Sequence, residues 1–537
     1  MFSLQMCCRE RFVATGLFFV LAVGIVGWIA FDALYVQLVT YGPGSDVWEH
    51  LTTLKGWSES LFSPVHPHTG LEASSARFTP LYFIYALFLK ISGVSVFAAY
   101  GAISVFQSVM FVMGVFWFTR AYFRSDWAPF FALVILLCVW GTGWGWSNAY
   151  QLRSLILVAG YPSTGVFALS FMLFSWTLRL CRRPRLSKFE YVGYMFLVGV
   201  IWVSHPLTAV FATVGAVLLI VFEKRDDRRA LVKLGGLVFA GFVLAGLWPY
   251  YSLFGVLFKD DTQQFVNVPA YLKKVGLSRL SLFEYPQRGV YFYDWQQMIG
   301  RGGFALLGGL SCVLMAFVAR FRWLAAVGAF MMLPFLVNMV VPVPLGHRFL
   351  FYGLVMGHLS MVGGAVLFWE YAGKSGLRPL AVVIQGTILV CLGVALYTEV
   401  QYSLRSYAAA GTAGSVFERR QNPLKERFEE LATHLNASDV VLADPRTAFG
   451  LPAFEGKVVA SLRGMHLVED RNERKLSLRI FFDENSRDED RERIVDKYKP
   501  THILFSQERA NDALVAYCER IGQRIAVSTN DHFFVLR

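Results

Sequence analysis

An aspartate and a histidine lie four residues apart just after the first apolar segment of this 537-residue chain. The segment runs from Phe12 to Val39, and the two side chains that follow it are Asp46 and His50. On a helix, residues at this spacing share one face, so the carboxylate and the imidazole would project together. We therefore predict that Asp46 is a general base or a metal ligand at the membrane surface, with His50 in a supporting role.

The polar segment around this pair contains other groups that bind metals or contact substrates. Glu49, His66 and His68 are candidate supporting groups, or ligands of a divalent cation such as Mg²⁺ or Mn²⁺. Two histidines that flank a proline are equally typical of a rigid turn. Arg77 and Trp48 are candidate substrate-contacting residues.

Four basic side chains lie at the ends of other apolar segments: Arg153, His205, His347 and Arg348. A charge inside hydrocarbon costs roughly 3 kcal/mol, so ionisable groups in such places tend to face a cavity and serve function. Arginine also presents a fork of donors that matches phosphate oxygens. We predict that these four residues bind the phosphate of a lipid-linked substrate. The alternatives are that the arginines extend to lipid headgroups and that His205 caps a helix.

Composition indicates a polytopic α-helical membrane protein. The chain is 55% hydrophobic and 16% aromatic, and its mean hydropathy is +0.47. A helix needs roughly 20 apolar residues to cross a bilayer. Eleven segments reach or approach that length: 12–39, 96–119, 127–143, 151–178, 189–203, 206–222, 231–257, 303–319, 323–342, 348–369 and 379–399.

Basic residues predict the orientation of these crossings. They cluster in every second short connection, from Arg9 and Arg11 to Lys374 and Arg378. The positive-inside rule makes those connections and the N-terminus cytoplasmic, so an odd number of crossings puts the C-terminus on the outer side of a bacterial cytoplasmic membrane. We expect the first segment to remain as a signal anchor. The clusters also explain the net charge of +12, which therefore does not indicate a nucleic-acid partner.

The predicted transmembrane domain, residues 1–400, has two long outer loops, at 40–79 and 258–302. A helix over 80–92 is expected to lie at the membrane interface. A linker, 401–421, then precedes an outer-side domain, 422–537, whose alternating strands and helices indicate a small soluble α/β fold. Its predicted helices are 423–435, 487–498 and 508–521, and its predicted strands are 440–443, 457–460, 501–505, 524–527 and 532–536.

Several of these stretches resemble the GT-C membrane glycosyltransferases, which use polyprenyl-phosphate sugar donors. Residues 45–51 resemble the first outer loop of oligosaccharyltransferase catalytic subunits, and residues 77–82 resemble the proline-aromatic entry to the second loop helix in bacterial members. His347-Arg348-Phe349 occupies a position where members often place a phosphate-binding arginine. The resemblance covers most of the chain and implies a GT-C-like catalytic domain of about eleven transmembrane helices.

The chain also departs from the oligosaccharyltransferase pattern. That pattern has a second acidic motif between the third and fourth crossings, whereas residues 143–150 contain no carboxylate. The Trp-Trp-Asp-type motif that reads glycosylation sites is absent from residues 422–537 as well. The resemblance therefore does not imply transfer to asparagine.

The resemblance implies an inverting glycosyltransferase, with a polyprenyl-phosphate sugar as donor and a glycan, lipid or protein as acceptor. Asp46 would be the base and Arg348 the main phosphate ligand. Two other classes of protein remain open. One is a ligase or polymerase of lipid-linked oligosaccharides, and the other is a transporter or flippase without transferase activity.

Overall fold

The computed structural model describes most of the chain. The described residues are 2–36, 46–141, 150–183, 187–258, 307–338, 343, 345–374, 378–410, 423–444, 447–461, 464–465, 467–527 and 531–537. Most of the predicted outer loop at 258–302, and residues 142–149 of the loop after the third crossing, lie outside them.

Helices make up most of the described structure. In chain order they are α1 (Phe2–Ala30), α2 (Val47–Glu59), α3 (Pro80–Ser92), α4 (Val96–Phe123), α5 (Ala128–Cys138), α6 (Leu152–Val158), α7 (Pro162–Arg182), α8 (Lys188–Ser204), α9 (Pro206–Lys224), α10 (Arg228–Ala245), α11 (Leu253–Phe258), α12 (Leu307–Phe317), α13 (Arg322–Asn338), α14 (Phe349–Lys374), α15 (Arg378–Ala410), α16 (Pro423–Ala432), α17 (Thr447–Gly450), α18 (Arg471–Phe481), α19 (Asp488–Tyr498) and α20 (Asp512–Ile521).

The polytopic membrane architecture is confirmed. Within the described residues, seven helices are long and apolar enough to cross a membrane: α1, α4, α7, α9, α13, α14 and α15. Helices α5, α8, α10 and α12 occupy the four remaining predicted crossings. The last membrane-crossing helix, α15, continues to Ala410, into the segment predicted as a linker.

One predicted crossing, 151–178, is corrected because it consists of two helices. Helix α6 ends at Val158, and α7 begins at Pro162 after a turn. Proline has no N–H to donate to the preceding turn, so it suits the first position of a helix and disfavours a continuous one.

The helix predicted over 80–92 is present as α3, and its limits follow from local chemistry. The side chain of Thr79 accepts a hydrogen bond from the N–H of Tyr82, and Pro80 occupies the first turn. Gly93 ends the helix in the left-handed region, with φ +64°. These are the preferred residues for the start and the end of a helix.

The chain divides into two compact units. A helical unit contains Met1–Ala33, Ile103–Leu247 and Gln263–Val416. A mixed unit contains Leu34–Ala102, Trp248–Thr262 and Phe417–Arg537. The mixed unit thus combines the segment that carries Asp46 with the C-terminal α/β domain.

The α/β domain contains a five-stranded sheet with strand order β2-β1-β3-β5-β4. Its strands are β1 (Val440–Ala443), β2 (Lys457–Val458), β3 (His502–Ser506), β4 (Gly522–Ile525) and β5 (Asp531–Leu536). Strands β2, β1 and β3 are parallel, while β5 pairs antiparallel with β3 and β4.

Apolar side chains cover both faces of this sheet. Leu442 and Ile503 pack with residues of α18, α19 and α20, whereas Val441 and Leu504 pack with residues of α16. Successive residues of a strand point to opposite faces, so continuous apolar strands indicate a sheet buried on both sides. This confirms the predicted small α/β fold.

Candidate functional site

Asp46 lies at the start of α2, in the mixed unit. Its backbone is helical, with φ −67° and ψ −4°, and its carbonyl oxygen accepts a hydrogen bond of 3.2 Å from the N–H of His50. Every residue from Val47 to Leu54 is buried. The helix is therefore enclosed on all sides, and its packing fixes the position of the Asp46 backbone.

Glu49, one turn after Asp46, forms a bidentate ion pair with Arg77. The guanidinium donates from Nε to Oε1 at 2.7 Å and from Nη2 to Oε2 at 3.1 Å. The Glu49 residue is 1% exposed. Such a fork-to-carboxylate pair is among the stronger protein hydrogen-bond arrangements. Arg77, predicted to contact substrate, thus anchors the segment before α3 to the first turn of α2.

His50 is also buried, at 2% exposure, and its ring lies 5.7 Å from the ring of Tyr82 in α3. Helices α2 and α3 therefore pack through this pair. The supporting role of His50 stays a prediction.

Trp48, predicted to contact substrate, packs among aromatic side chains in the structure. It is 1% exposed. Its ring stacks on Phe454 at a centroid distance of 5.9 Å, and it also contacts Phe97 and Phe428. A large aromatic side chain in such a cluster contributes burial and ring-pair energy. Trp48 thus joins α2 to the α/β domain.

His66 and His68 are both fully buried. His66 donates from Nε2 to the carbonyl oxygen of Gly464 at 3.0 Å, and its Nδ1 accepts from the Thr69 N–H at 3.4 Å. His68 has no hydrogen-bond partner among the described residues at either ring nitrogen. Burial lowers the pKa of His68 to about 4, so its ring is neutral near pH 7.

The predicted metal ligands do not fit a metal site together. Both carboxylate oxygens of Glu49 are bonded by Arg77, and both ring nitrogens of His66 are engaged. The described residues contain no group of three or more His, Cys, Asp or Glu side chains arranged to hold a metal ion. We therefore assign Glu49 and His66 to the packing of the loop.

Arg153, in the helical unit, is surrounded by partners. Its Nη2 donates to the carbonyl oxygen of Gly141 at 2.7 Å and to Oε1 of Gln151 at 2.8 Å. Its Nε lies 3.8 Å from Oε1 of Glu399, and the guanidinium lies 4.3 Å from the centroid of the Tyr402 ring. The sequence analysis did not select Glu399, although an acid at the end of an apolar segment was a visible signal.

His205, also in the helical unit, caps α9. Capping is the alternative to phosphate binding that the sequence analysis gave for this residue. Its Nδ1 accepts from the N–H of Thr208 at 3.2 Å and lies 2.7 Å from the Thr208 hydroxyl. That hydroxyl lies 2.6 Å from the hydroxyl of Tyr352 in α14. The imidazole thereby satisfies an N–H of the first turn, as N-cap side chains do.

Arg348 ends a short 3₁₀ turn, Gly346–Arg348, directly before α14. Leu345, which precedes the turn, has φ +52°, a left-handed conformation that is uncommon for a residue with a branched side chain. A Cβ on Gly346 would lie 2.8 Å from Cβ of Asn338, so the turn packs closely against α13. Strained backbone of this kind clusters at functional sites. His347 lies in the same turn, and its backbone alone is described.

Asp32 is another buried acid that the sequence analysis did not select. Asp32 is fully buried and belongs to a π-helical turn, Phe31–Val36, at the end of α1. Single π-helical turns are rare and are frequently found at functional sites. The sequence signal for Asp32 was a carboxylate within the segment from Phe12 to Val39, which the sequence analysis took as apolar throughout.

The predicted site residues therefore fall into two groups. Asp46, Trp48, Glu49, His50, His66, His68 and Arg77 belong to the mixed unit, whereas Arg153, His205, His347 and Arg348 belong to the helical unit. In the mixed unit the structure brings Glu49 to Arg77 and places His66 and His68 with ring centroids 6.1 Å apart.

No protein-family model and no curated protein matches the chain. Solved structures do match it. The archaeal oligosaccharyltransferase AglB from Archaeoglobus fulgidus, in complex with an inhibitory peptide and a dolichol-phosphate, matches with a TM-score of 0.55 and 11% identity. The match covers 95% of this chain and 71% of AglB. The apo form of that enzyme also gives a TM-score of 0.55, over 94% of this chain and 71% of the enzyme, at 11% identity.

ArnT from Cupriavidus metallidurans, bound to undecaprenyl phosphate, matches with a TM-score of 0.53 and 15% identity. This match covers 96% of the present chain and 97% of ArnT. At such low identities the similarity establishes a shared fold, and the chemistry has to be argued from the residues of this chain.

Proposed function

We propose, from the premise that this chain has the fold of the GT-C membrane glycosyltransferases, that it transfers a sugar with inversion from a polyprenyl-phosphate donor. The acceptor is a glycan, a lipid or a protein on the outer face of a bacterial cytoplasmic membrane. The observation that carries most weight is the fold match over nearly the whole chain to AglB and to ArnT, which were solved with a dolichol-phosphate and undecaprenyl phosphate respectively.

Asp46 is proposed as the general base. Its carboxylate takes the proton from an acceptor hydroxyl while the hydroxyl oxygen attacks the anomeric carbon of the donor. The bond between that carbon and the phosphate oxygen breaks, and the polyprenyl phosphate leaves with the electron pair. One displacement of this kind inverts the configuration at the anomeric carbon. The buried and closely packed α2 supports this role because a base must be held within hydrogen-bond reach of its proton.

Arg348 is proposed to stabilise the leaving phosphate. Negative charge grows on the phosphate as the glycosidic bond breaks, and a preorganised cation stabilises that charge. The strained turn before Arg348 supports its assignment as a positioned group. Arg153 is partly neutralised by Glu399, and His205 is engaged in capping α9, so both rank below Arg348 as phosphate ligands.

The experiment is mass spectrometry of glycolipids and surface glycans from a deletion strain, complemented with wild-type protein, Asp46→Asn or Arg348→Ala. We expect the wild type to restore a sugar modification that the deletion strain lacks. Asp46→Asn removes the base with little change of shape, and we expect at least a 100-fold loss of product. Immunoblots of the membrane fraction control for equal amounts of protein.

Three results would contradict the proposal. Full activity of Asp46→Asn together with loss of activity in Arg348→Ala would favour an oligosaccharide ligase or polymerase. Unchanged glycans in the deletion strain with altered uptake of a solute would favour a transporter. Retained configuration at the anomeric carbon of the product would exclude the single displacement.

A further inference from the structure

The α/β domain contacts the segment around Asp46 through a close backbone approach at Gly464. Residues 464–465 follow strand β2 in the chain, and the carbonyl oxygen of Gly464 accepts the hydrogen bond from His66. The N–H of Val458 in β2 donates to the carbonyl oxygen of His68 at 2.8 Å. Residues 66–68 of the loop therefore bond to the domain at two points.

Gly464 leaves no space for a side chain at this contact. A Cβ on Gly464 would lie 2.7 Å from Nε2 of His68 and 3.2 Å from Cγ of Glu49. Distances below about 3 Å between such atoms are strongly repulsive, because close-packed interiors have little free volume. The backbone at Gly464 thus lies so close to the ring of His68 and the side chain of Glu49 that no side chain fits between them.

The position of Glu49 determines the first turn of α2. Glu49 is three residues after Asp46; its carboxylate is bonded by Arg77, and its Cγ lies 3.2 Å from where a Cβ on Gly464 would be. Trp48 in the same turn stacks on Phe454 of the domain. A displacement of Gly464 is therefore transmitted to the helical turn that begins at Asp46.

The opposite end of α2 is attached to the same domain by charged side chains. Lys55 lies 3.2 Å from Glu455 and 3.5 Å from Glu59, and Lys457 lies 3.7 Å from Glu59. The aliphatic stem of Lys457 also packs over Gly70 of the loop, 3.1 Å from a Cβ position there. Both ends of α2 therefore depend on the domain for their placement.

We infer that the α/β domain is a positioning element for Asp46 and that Gly464, through Glu49 and His68, is its central positioning residue. This inference rests on the proposed function, because it concerns the placement of the proposed base. A misplacement of about 1 Å at a reacting group can cost about 100-fold in rate. A methyl group at position 464 needs a shift of that order.

Gly456 offers a matched control within the same domain. Gly456 and Gly464 both have φ +76°, so a Gly→Ala substitution places an alanine at positive φ at both positions. A Cβ on Gly456 would meet its nearest neighbour, the carbonyl oxygen of Asp439, at 3.5 Å, which is an ordinary contact. The two variants therefore differ in the clash with His68 and Glu49.

The test uses the full-length chain in the complemented deletion strain, with product measured at equal protein level. We expect Gly464→Ala to give 10- to 100-fold less product than Gly456→Ala. Purified Gly464→Ala should bind undecaprenyl phosphate, the probe, within about threefold of the wild type. Equal product from the two variants, or equal loss of undecaprenyl phosphate binding and product, would overturn the inference.

A second arm replaces His68 by Ala. Removal of the ring eliminates the shortest contact at position 464, so Gly464→Ala should reduce product by less than about threefold in the His68→Ala background. Gly456→Ala should show no such dependence on residue 68. An undiminished effect of Gly464→Ala in the His68→Ala background would overturn the inference.

Melting temperatures of the purified variants separate this inference from the proposed function. The substitutions at 464 and 68 should be non-additive in melting temperature, because the two residues are in contact. If the wild type restores no glycan, the proposed function fails while this coupling still tests the contact. Additive melting temperatures would overturn the contact even if the enzyme is active.

Discussion

Arg77, predicted from the sequence to contact substrate, forms an ion pair with a buried acid in the structure. Its guanidinium is paired with the carboxylate of Glu49, which is 2% exposed, while its own side chain is 28% exposed. Loss of the arginine would remove both of its hydrogen bonds to this buried carboxylate. Such a change typically costs 3 to 5 kcal/mol, although the partial exposure of Arg77 moves the expected value to the lower end of that range.

We predict that Arg77→Ala lowers the free energy of unfolding of the full-length protein by about 3 kcal/mol. Denaturation in mild detergent, followed by tryptophan fluorescence, measures this change. Lys55→Ala is the control, since its ion pairs with Glu59 and Glu455 are both more exposed and their loss should cost no more than about 1 kcal/mol. A stable Arg77→Ala variant that makes no product would instead restore the substrate-contacting role inferred from the sequence.

At the scale of the elements, His205 at the start of α9 has two candidate roles, helix capping and phosphate binding. The Nδ1 atom of His205 accepts a hydrogen bond from the N–H of Thr208, so the imidazole is the N-cap side chain of the helix. A cap of this type contributes about 1 kcal/mol. Phosphate binding would use the other ring nitrogen, Nε2, which carries the proton when Nδ1 accepts a hydrogen bond.

We predict that His205→Asn preserves both stability and product, because Asn is a good N-cap residue. His205→Ala should lower stability by about 1 kcal/mol through loss of the cap. Thermal unfolding and glycan mass spectrometry of the two variants test this pair. Loss of product in both variants, at unchanged stability, would show that the imidazole itself binds substrate.

Elements marked by local signals could be predicted from the sequence. Helix α3 was found at its observed limits because Thr79-Pro80 and Gly93 act within one turn of the chain. Strands β1 and β3 were found to within one residue because their apolar runs are short and bounded by polar residues. Helix α18 was not predicted from the sequence; seven of its eleven residues are polar, and its apolar residues are confined to its C-terminal half.

Contacts between distant segments could not be predicted. Glu49 and Arg77 are 28 positions apart and meet through an irregular loop, so no periodicity relates them. Trp48 was predicted to contact substrate. Its burial by Phe428 and Phe454 could not be predicted, because these residues belong to a domain about 400 positions later in the chain. Residue types therefore indicated the chemistry, whereas tertiary packing decided which of those residues are used for structure.

At the scale of the whole molecule, the mixed unit is assembled from segments far apart in the chain, and His68 lies at their contact. Its folded pKa of about 4 lies below the ordinary value of 6.5. The unfolded chain thus binds more protons between these two values, and stability falls as the pH drops through that range. Above pH 6.5 the stabilisation is complete.

We predict that the free energy of unfolding decreases by about 3 kcal/mol between pH 6.5 and pH 4 through His68 alone. Thermal unfolding of the full-length protein across this range measures the effect. His68→Gln, which does not titrate, is the control, and it should show a smaller slope than the wild type. Burial also lowers the pKa of His502 and His532, and their contributions persist in both proteins. Identical slopes would contradict the assignment to His68.

The hydrogen bond between His66 and Gly464 joins residues 398 positions apart. A ribosome needs about 20 to 80 s to synthesise that length of chain. During most of this time Trp48 lacks its ring contacts with Phe428 and Phe454, and the ring of His68 and the side chain of Glu49 lack the adjoining backbone of Gly464. The segment that carries the proposed base therefore reaches its final form only after synthesis of the C-terminal domain. A chain whose synthesis stops before Gly464 would therefore lack the backbone contact that adjoins this segment.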